Sequence, residues 1–143
     1  MVFSGEHGMA VTSGGRIALP KKIREGVTGS VCVITRGFDQ CLAGYDKTDW
    51  EDRSREFLSQ SLIETANMAV KRMMFSGAVQ VELDEQGRFV IPKSLAAYAQ
   101  IGTKVVIAGV GDHFELWDAG KWEAYARHAL EEVHSSMSKQ THG

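Results

Sequence analysis

The sequence predicts an α+β fold made of two tandem β-β-α-β-β-α repeats sharing a small pseudo-two-fold β-barrel with peripheral helices. Three observations predict it. Apolar residues alternate with period two on both sides of polar, Gly-containing breaks, as in strands joined by a tight turn. Amphipathic stretches follow the strand pairs. The chain also repeats itself: "FSG" stands at residues 3–5 and 75–77, and each copy leads to Gly15-Arg16 and Pro20-Lys21 or to Gly87-Arg88 and Pro92-Lys93. The two prolines of those motifs are the only ones in the chain.

An ungapped shift of 72 residues gives 15 identities in 71 pairs, among them Phe3/Phe75, Gly37/Gly109, Asp46/Asp118, Trp50/Trp122 and Arg55/Arg127. Two copies are too few for a solenoid, and a unit of about 70 residues is short of core. Residues 1–72 and 73–143 are therefore expected to share one hydrophobic centre. Their short antiparallel strands would close into a barrel and so remove exposed edges.

In the first half, strands are expected near 6–11, 16–19, 31–35 and 41–45. A short helix is expected at about 20–26, and a longer one after the N-cap candidate Asp46. The stretch "FLSQSLIETANMAVKRMM" adds a helix that joins the halves. In the second half, "AVQVELDEQGRFVIP" alternates Val79, Val81, Leu83, Phe89 and Ile91 on both sides of the break "DEQG", as a hairpin does. Gly87 ends that break and suits a positive φ. Pro92 opens a helix over 92–99, where its missing N–H costs nothing. Strands "KVVIAGV" and "HFELW" follow. From Asp118 an amphipathic helix carries Trp122, Ala126, Ala129, Leu130 and Val133 on one stripe.

Composition fits a soluble domain: 143 residues, 43% hydrophobic, 24% charged. No apolar run reaches the ~20 residues of a membrane helix, and the opening "MVFSGEHGMAV" lacks a signal-peptide layout. Two cysteines make no disulfide framework; Cys32 reads as a buried strand thiol. These features suggest a cytoplasmic protein with no membrane partner. His7, His113, His128, His134 and His142 show no ligand spacing, and no nucleophile elbow, phosphate loop or zinc-helix motif is present. No enzyme activity, metal, cofactor or small-molecule ligand is expected.

The chemistry lies in the punctuated segments. "SGGRIALPKKIRE" holds Arg16, Lys21, Lys22 and Arg24 against one acid, Glu25; "EQGRFVIPKSLAA" keeps only Arg88 and Lys93. Overall net charge is -2, so the positive charge is local, on the first hairpin and short helix. Such groups suit phosphates, and arginine also reaches a guanine edge bidentately. Arg88 has a second reading, a structural ion pair with Asp84. Thr12 stands where Asp84 would be in the first copy, which leaves Arg16 without a carboxylate in its motif. The aromatic helix starts "YDKTDWE" and "WDAGKWE" read as packing onto the sheet in preference to base stacking.

These residues resemble the MraZ family of bacterial regulators, within the wider group of AbrB-like swapped-hairpin proteins. The resemblance spans nearly the whole chain: the N-terminal F-x-G, the tandem D-x-x-G-R-hydrophobic-x-hydrophobic-P motif and the "FELWD" strand-to-helix junction. The second copy matches from Asp84 to Arg88. The first departs at Thr12 and at Gly14, where a lysine is common. The resemblance implies a nucleoid-associated transcriptional regulator, a repressor of the division and cell wall gene cluster and of its own gene. It implies a multi-subunit homo-oligomeric ring on short G-rich direct repeats of double-stranded promoter DNA. Gly15, Arg16, Lys21, Lys22 and Arg24 would contact that DNA. Asp84, Gly87, Arg88 and Lys93, their second-repeat equivalents, would be DNA-binding or structural. Two other readings stay open: a ring-forming interaction protein with secondary DNA binding, and an AbrB-type antitoxin.

Overall fold

Alternating apolar residues lay the two halves of the chain into one another rather than side by side. The computed structural model describes residues 2–59 and 65–142. In the first half the elements are β1 (Glu6–Ala10), β2 (Arg16–Ala18), α1 (Lys21–Arg24), β3 (Val31–Arg36), β4 (Leu42–Asp46) and α2 (Lys47–Leu58). Then come α3 (Thr65–Gly77), β5 (Val79–Glu82), β6 (Arg88–Val90), α4 (Lys93–Tyr98), β7 (Lys104–Gly109), β8 (Phe114–Asp118) and α5 (Ala119–His142). The α+β class and the β-β-α-β-β-α order of each half stand as expected. Of the expected joining helix, residues 60–64 lie outside the described residues; Leu58 ends α2 before them and Thr65 begins α3 after them.

Six strands form one antiparallel sheet in the order β1-β7-β8-β4-β3-β5, and β2 pairs with β6 in a separate two-stranded ribbon. Each half thus lends its first strand to the other: β1 runs beside β7, with His7 opposite Ile107, and β5 beside β3, with Val81 opposite Cys32. The halves meet at β4 and β8, where Leu42 faces Leu116.

The expected closed barrel is not formed. The two arms of each predicted hairpin separate after the turn, one into the sheet and one into the ribbon. The ribbon lies over the core as a lid and joins no sheet edge, so β1 and β5 remain the sheet's outer strands. Burial holds the ribbon on the sheet. Ile17, Leu19, Phe89 and Ile91 from the ribbon and its flanks enter the same cluster as Ile34, Leu42, Ile107, Phe114 and Leu116 from the sheet. Burying a side chain of this size contributes about 1.5–3 kcal/mol, and the crossed arrangement buries all four.

Cys32 is fully buried, as expected, and burial pushes its thiol up to about 12. Asp46 does not cap α2 with its side chain; its Oδ1 instead accepts from the Thr28 N–H at 2.7 Å. Asp118 accepts from Lys121 N–H at 3.4 Å and from Gly102 N–H at 3.0 Å, so it ties the start of α5 to the loop before β7. Trp50 packs on Tyr45 and Phe75, and Trp122 on Trp117 and Tyr125. The apolar stripe of α5 outruns the sheet: Leu130 and Val133 are exposed.

Candidate nucleic-acid interface

Each Gly-Arg motif makes the same turn. In the first, Thr12 N–H donates to Arg16 O at 3.0 Å and Gly15 N–H to Thr12 O at 2.9 Å; in the second, Asp84 N–H donates to Arg88 O at 3.0 Å and Gly87 N–H to Asp84 O at 2.9 Å. Both glycines sit at φ +76°, a region that a side chain at this position would strain. The turns differ in how they hold the arginine. Asp84 Oδ1 accepts from the N–H groups of Gln86 and Arg88 at 2.9 and 2.8 Å, and its Oδ2 pairs with Arg88 Nε at 2.8 Å. The Arg88 N–H bond is the leading reason that the Asp84 carboxyl lies below its ordinary value. Thr12 supplies only a hydroxyl, which accepts from Arg16 N–H at 3.1 Å. The Thr12 substitution therefore preserves the turn and omits the ion pair.

The ribbon then fixes where both arginines point. Arg16 lies opposite Val90, Ile17 opposite Phe89 and Ala18 opposite Arg88. Ile17 and Phe89 face the core, so strand alternation turns Arg16, Ala18, Arg88 and Val90 outward together. Leu19 N–H donates to Gly87 O and Ile91 N–H to Gly15 O, at 2.9 and 3.0 Å, which bracket the ribbon. The intervening pairs 16/90 and 18/88 are of the non-hydrogen-bonded kind, with side chains closest and Cα atoms about 4.5 Å apart. The two arginines, far apart in sequence, stand on one diagonal of a single face, with Cβ atoms about 7 Å apart. Arg16 is exposed and makes no ion pair among the described residues; Arg88 is half-buried against Asp84.

The swap divides the positive charge that the sequence concentrates in one segment. The bond from Ile91 N–H to Gly15 O brings exposed Lys93, at the start of α4, beside the first turn. Lys21 and Arg24 of α1 lie instead beside the second turn, in a recess lined also by Glu25, Asp84, Glu85 and Gly87. Lys22 is exposed on the same short helix. Arg24 lies directly over Gly87: a methyl group built there would come within 2.1 Å of Arg24 Cδ. At Gly15 the nearest atom to such a methyl is Val90 Cγ1, at 3.9 Å. The first turn is thus open, and neither Arg16 nor Lys93 makes an ion pair among the described residues. The second is covered by Arg24 and carries two carboxylates of its own.

Sequence reasoning missed two things here. It placed Arg16 with Lys21, Lys22 and Arg24, because proximity in sequence stood in for proximity in space. It also passed over Val90, although the alternation of buried Phe89 and Ile91 already put residue 90 on the outer face. Away from the ribbon, His113 bridges Asp112 and Glu115 at 2.6 and 3.3 Å and stacks on Tyr45, while Asp112 reaches Arg53 on α2 at 2.9 Å. That cluster sits at the β7–β8 turn.

Comparison with known proteins adds the family. The family model described as "MraZ protein, putative antitoxin-like" matches residues 2–73 and again 74–142. The chain is similar to "Transcriptional regulator MraZ" of Roseiflexus castenholzii, 39% identical over 85% of either chain. The protein of the same name from Ligilactobacillus salivarius is 38% identical over 91% of this chain and 90% of its own. That from Moorella thermoacetica is 33% identical over 96% of both. Among solved structures, the solution structure of PHS018 from Pyrococcus horikoshii aligns with a TM-score of 0.34 at 16% identity, over 80% of this chain and 97% of that one.

Proposed function

This chain belongs to the MraZ family, and from that premise we propose that it is a sequence-specific DNA-binding transcriptional regulator that reads DNA with the β2–β6 ribbon. One observation carries the proposal. Arg16 projects from the outer face of the ribbon with no ion pair among the described residues, while the equivalent Arg88 is held by Asp84. A two-stranded ribbon is narrow enough for the major groove, and an arginine there makes two hydrogen bonds to guanine, worth about 1–3 kcal/mol of discrimination. The names of the relatives agree with this reading.

Arg16 reads a guanine, and Lys93 beside it holds a phosphate. Lys21, Lys22 and Arg24, across the ribbon, hold phosphates on the other side, and Arg88 braces its own turn. About four phosphate contacts give a salt slope of only about 3–4, so one subunit binds weakly. A ring of subunits on G-rich direct repeats makes the later contacts intramolecular and adds avidity of ~10²–10⁴. Direct repeats also suit head-to-tail subunits better than two-fold ones. Repression of the division and cell wall cluster, including its own gene, follows from occupying the promoter.

Footprinting on the DNA upstream of its own gene, with native mass measured on the same sample, tests this. Evenly spaced protected G-rich repeats and a multi-subunit mass are expected. Protection without periodicity, by a monomer, would remove the ring; no protection at any salt would remove the DNA-binding reading.

A further inference from the structure

Phosphate binding has no use for an exposed branched hydrocarbon, yet one stands on the ribbon's outer face. Val90 is 49% exposed, directly opposite Arg16 and two residues from Arg88. We propose that Val90 is a specificity-determining residue whose isopropyl group packs on the C5-methyl of a thymine adjoining the guanine read by Arg16. The inference rests on the DNA-binding reading above and sharpens it.

Three relationships support it. Thymine alone presents a methyl group in the major groove, and apolar side chains are what read it. The spacing fits: the Cα atoms of a non-hydrogen-bonded pair lie about 4.5 Å apart, close to the ~3.4 Å step between successive bases on a strand. Two side chains paired in this way therefore reach neighbouring bases. The side chain also stands beside the turn that carries Arg16: Val90 Cγ1 is the nearest atom to a methyl built on Gly15, at 3.9 Å. A β-branched residue has little χ1 freedom left to lose on binding.

The opposite corner of the face differs. There Arg88, tied to Asp84, pairs with Ala18, whose single methyl is half-buried. The outer face is two-fold in its backbone and one-sided in its chemistry. A one-sided reader recognises a sequence with a direction, which suits direct repeats.

The test starts from duplexes enriched by the wild-type protein from a randomised pool. Each thymine in the enriched sequence is then replaced by deoxyuridine, which removes only the methyl group. For the wild type, one such replacement beside the critical guanine should weaken binding about fourfold, the weight of one methyl-sized contact. Val90→Ala should bind the thymine duplex about fourfold more weakly and lose nothing further on the deoxyuridine duplex. Val90→Thr, which keeps the branch and replaces a methyl with a hydroxyl, gives the same non-additive pattern and serves if the alanine variant does not fold. Additive losses, indifference of the wild type to every methyl, or an enriched sequence with no thymine beside the guanine each overturn the role of Val90 and leave DNA binding standing. A pool from which nothing is enriched overturns DNA reading itself, and Val90's part with it.

Discussion

Asp84 Oδ2 lies 2.8 Å from Arg88 Nε, and the first repeat reproduces the backbone bonds of that turn without this ion pair. Thr12 gives Arg16 an N–H acceptor and no charge. A duplicated unit has thus come to hold one arginine and release the other.

Thr12→Asp should rebuild the missing pair and tether Arg16. An exposed ion pair is worth up to about 1 kcal/mol, so affinity for promoter DNA should fall by up to about fivefold while the thermal midpoint holds or rises slightly. Retardation assays and melting curves on the same preparation measure both. A variant that binds DNA more tightly than wild type would mean that Arg16 gains nothing from its freedom.

Asp84 predicts an acid limb. Its carboxyl is lowered from 3.8, first by the Arg88 N–H bond. A group whose folded value is depressed stabilises above its unfolded value and loses that contribution as pH falls through the folded one. Melting midpoints of the wild type should therefore drop below about pH 4 more steeply than those of Asp84→Ala. Parallel acid limbs would show that Asp84 braces nothing.

Gly15 and Gly87 share φ +76° but not their surroundings. Alanine at either position meets the positive-φ strain of about 1–2 kcal/mol. Only at Gly87 does it also strike Arg24. Gly87→Ala should therefore destabilise more than Gly15→Ala, and the excess should vanish in an Arg24→Ala background. Denaturant unfolding of the four variants and the wild type decides it; an excess that survives without Arg24 would place the clash elsewhere.

How far these features were legible in the sequence depends on what periodicity encodes. Alternation told which residues face inward: Ile17, Leu19, Phe89 and Ile91 are all buried. It could not tell which strand lies next to which. The β2 and β6 segments carry the same apolar pattern, so either could return along its own hairpin or cross to the other, and the pattern is satisfied both ways. The core decided for the crossing, which separated Arg16 from Lys21 and Arg24 and left the sheet open. The freedom of Arg16 was legible, because it follows from one local substitution at residue 12. The covering of Gly87 by Arg24 was not, since it joins residues from opposite halves.

His113 predicts a slope at neutral pH. Its value is raised above 6.5, first by the hydrogen bond with Glu115, then also by Asp112 and against the effect of burial. A group raised on folding contributes fully below its unfolded value, and that contribution is lost as pH rises through the folded one. The wild type should melt higher at pH 6 than at pH 8.5, and His113→Gln should flatten that difference. Equal slopes would show that the imidazolium does not bind Asp112 and Glu115 as placed here.

Arg16→Ala is the most direct measurement of the central claim. Retardation of the upstream promoter fragment should be lost, with mass by light scattering and melting midpoint unchanged, whereas Arg88→Ala should lower the midpoint and keep more of the binding. Wild-type retardation by Arg16→Ala would contradict the claim that this unpaired guanidinium is what grips DNA.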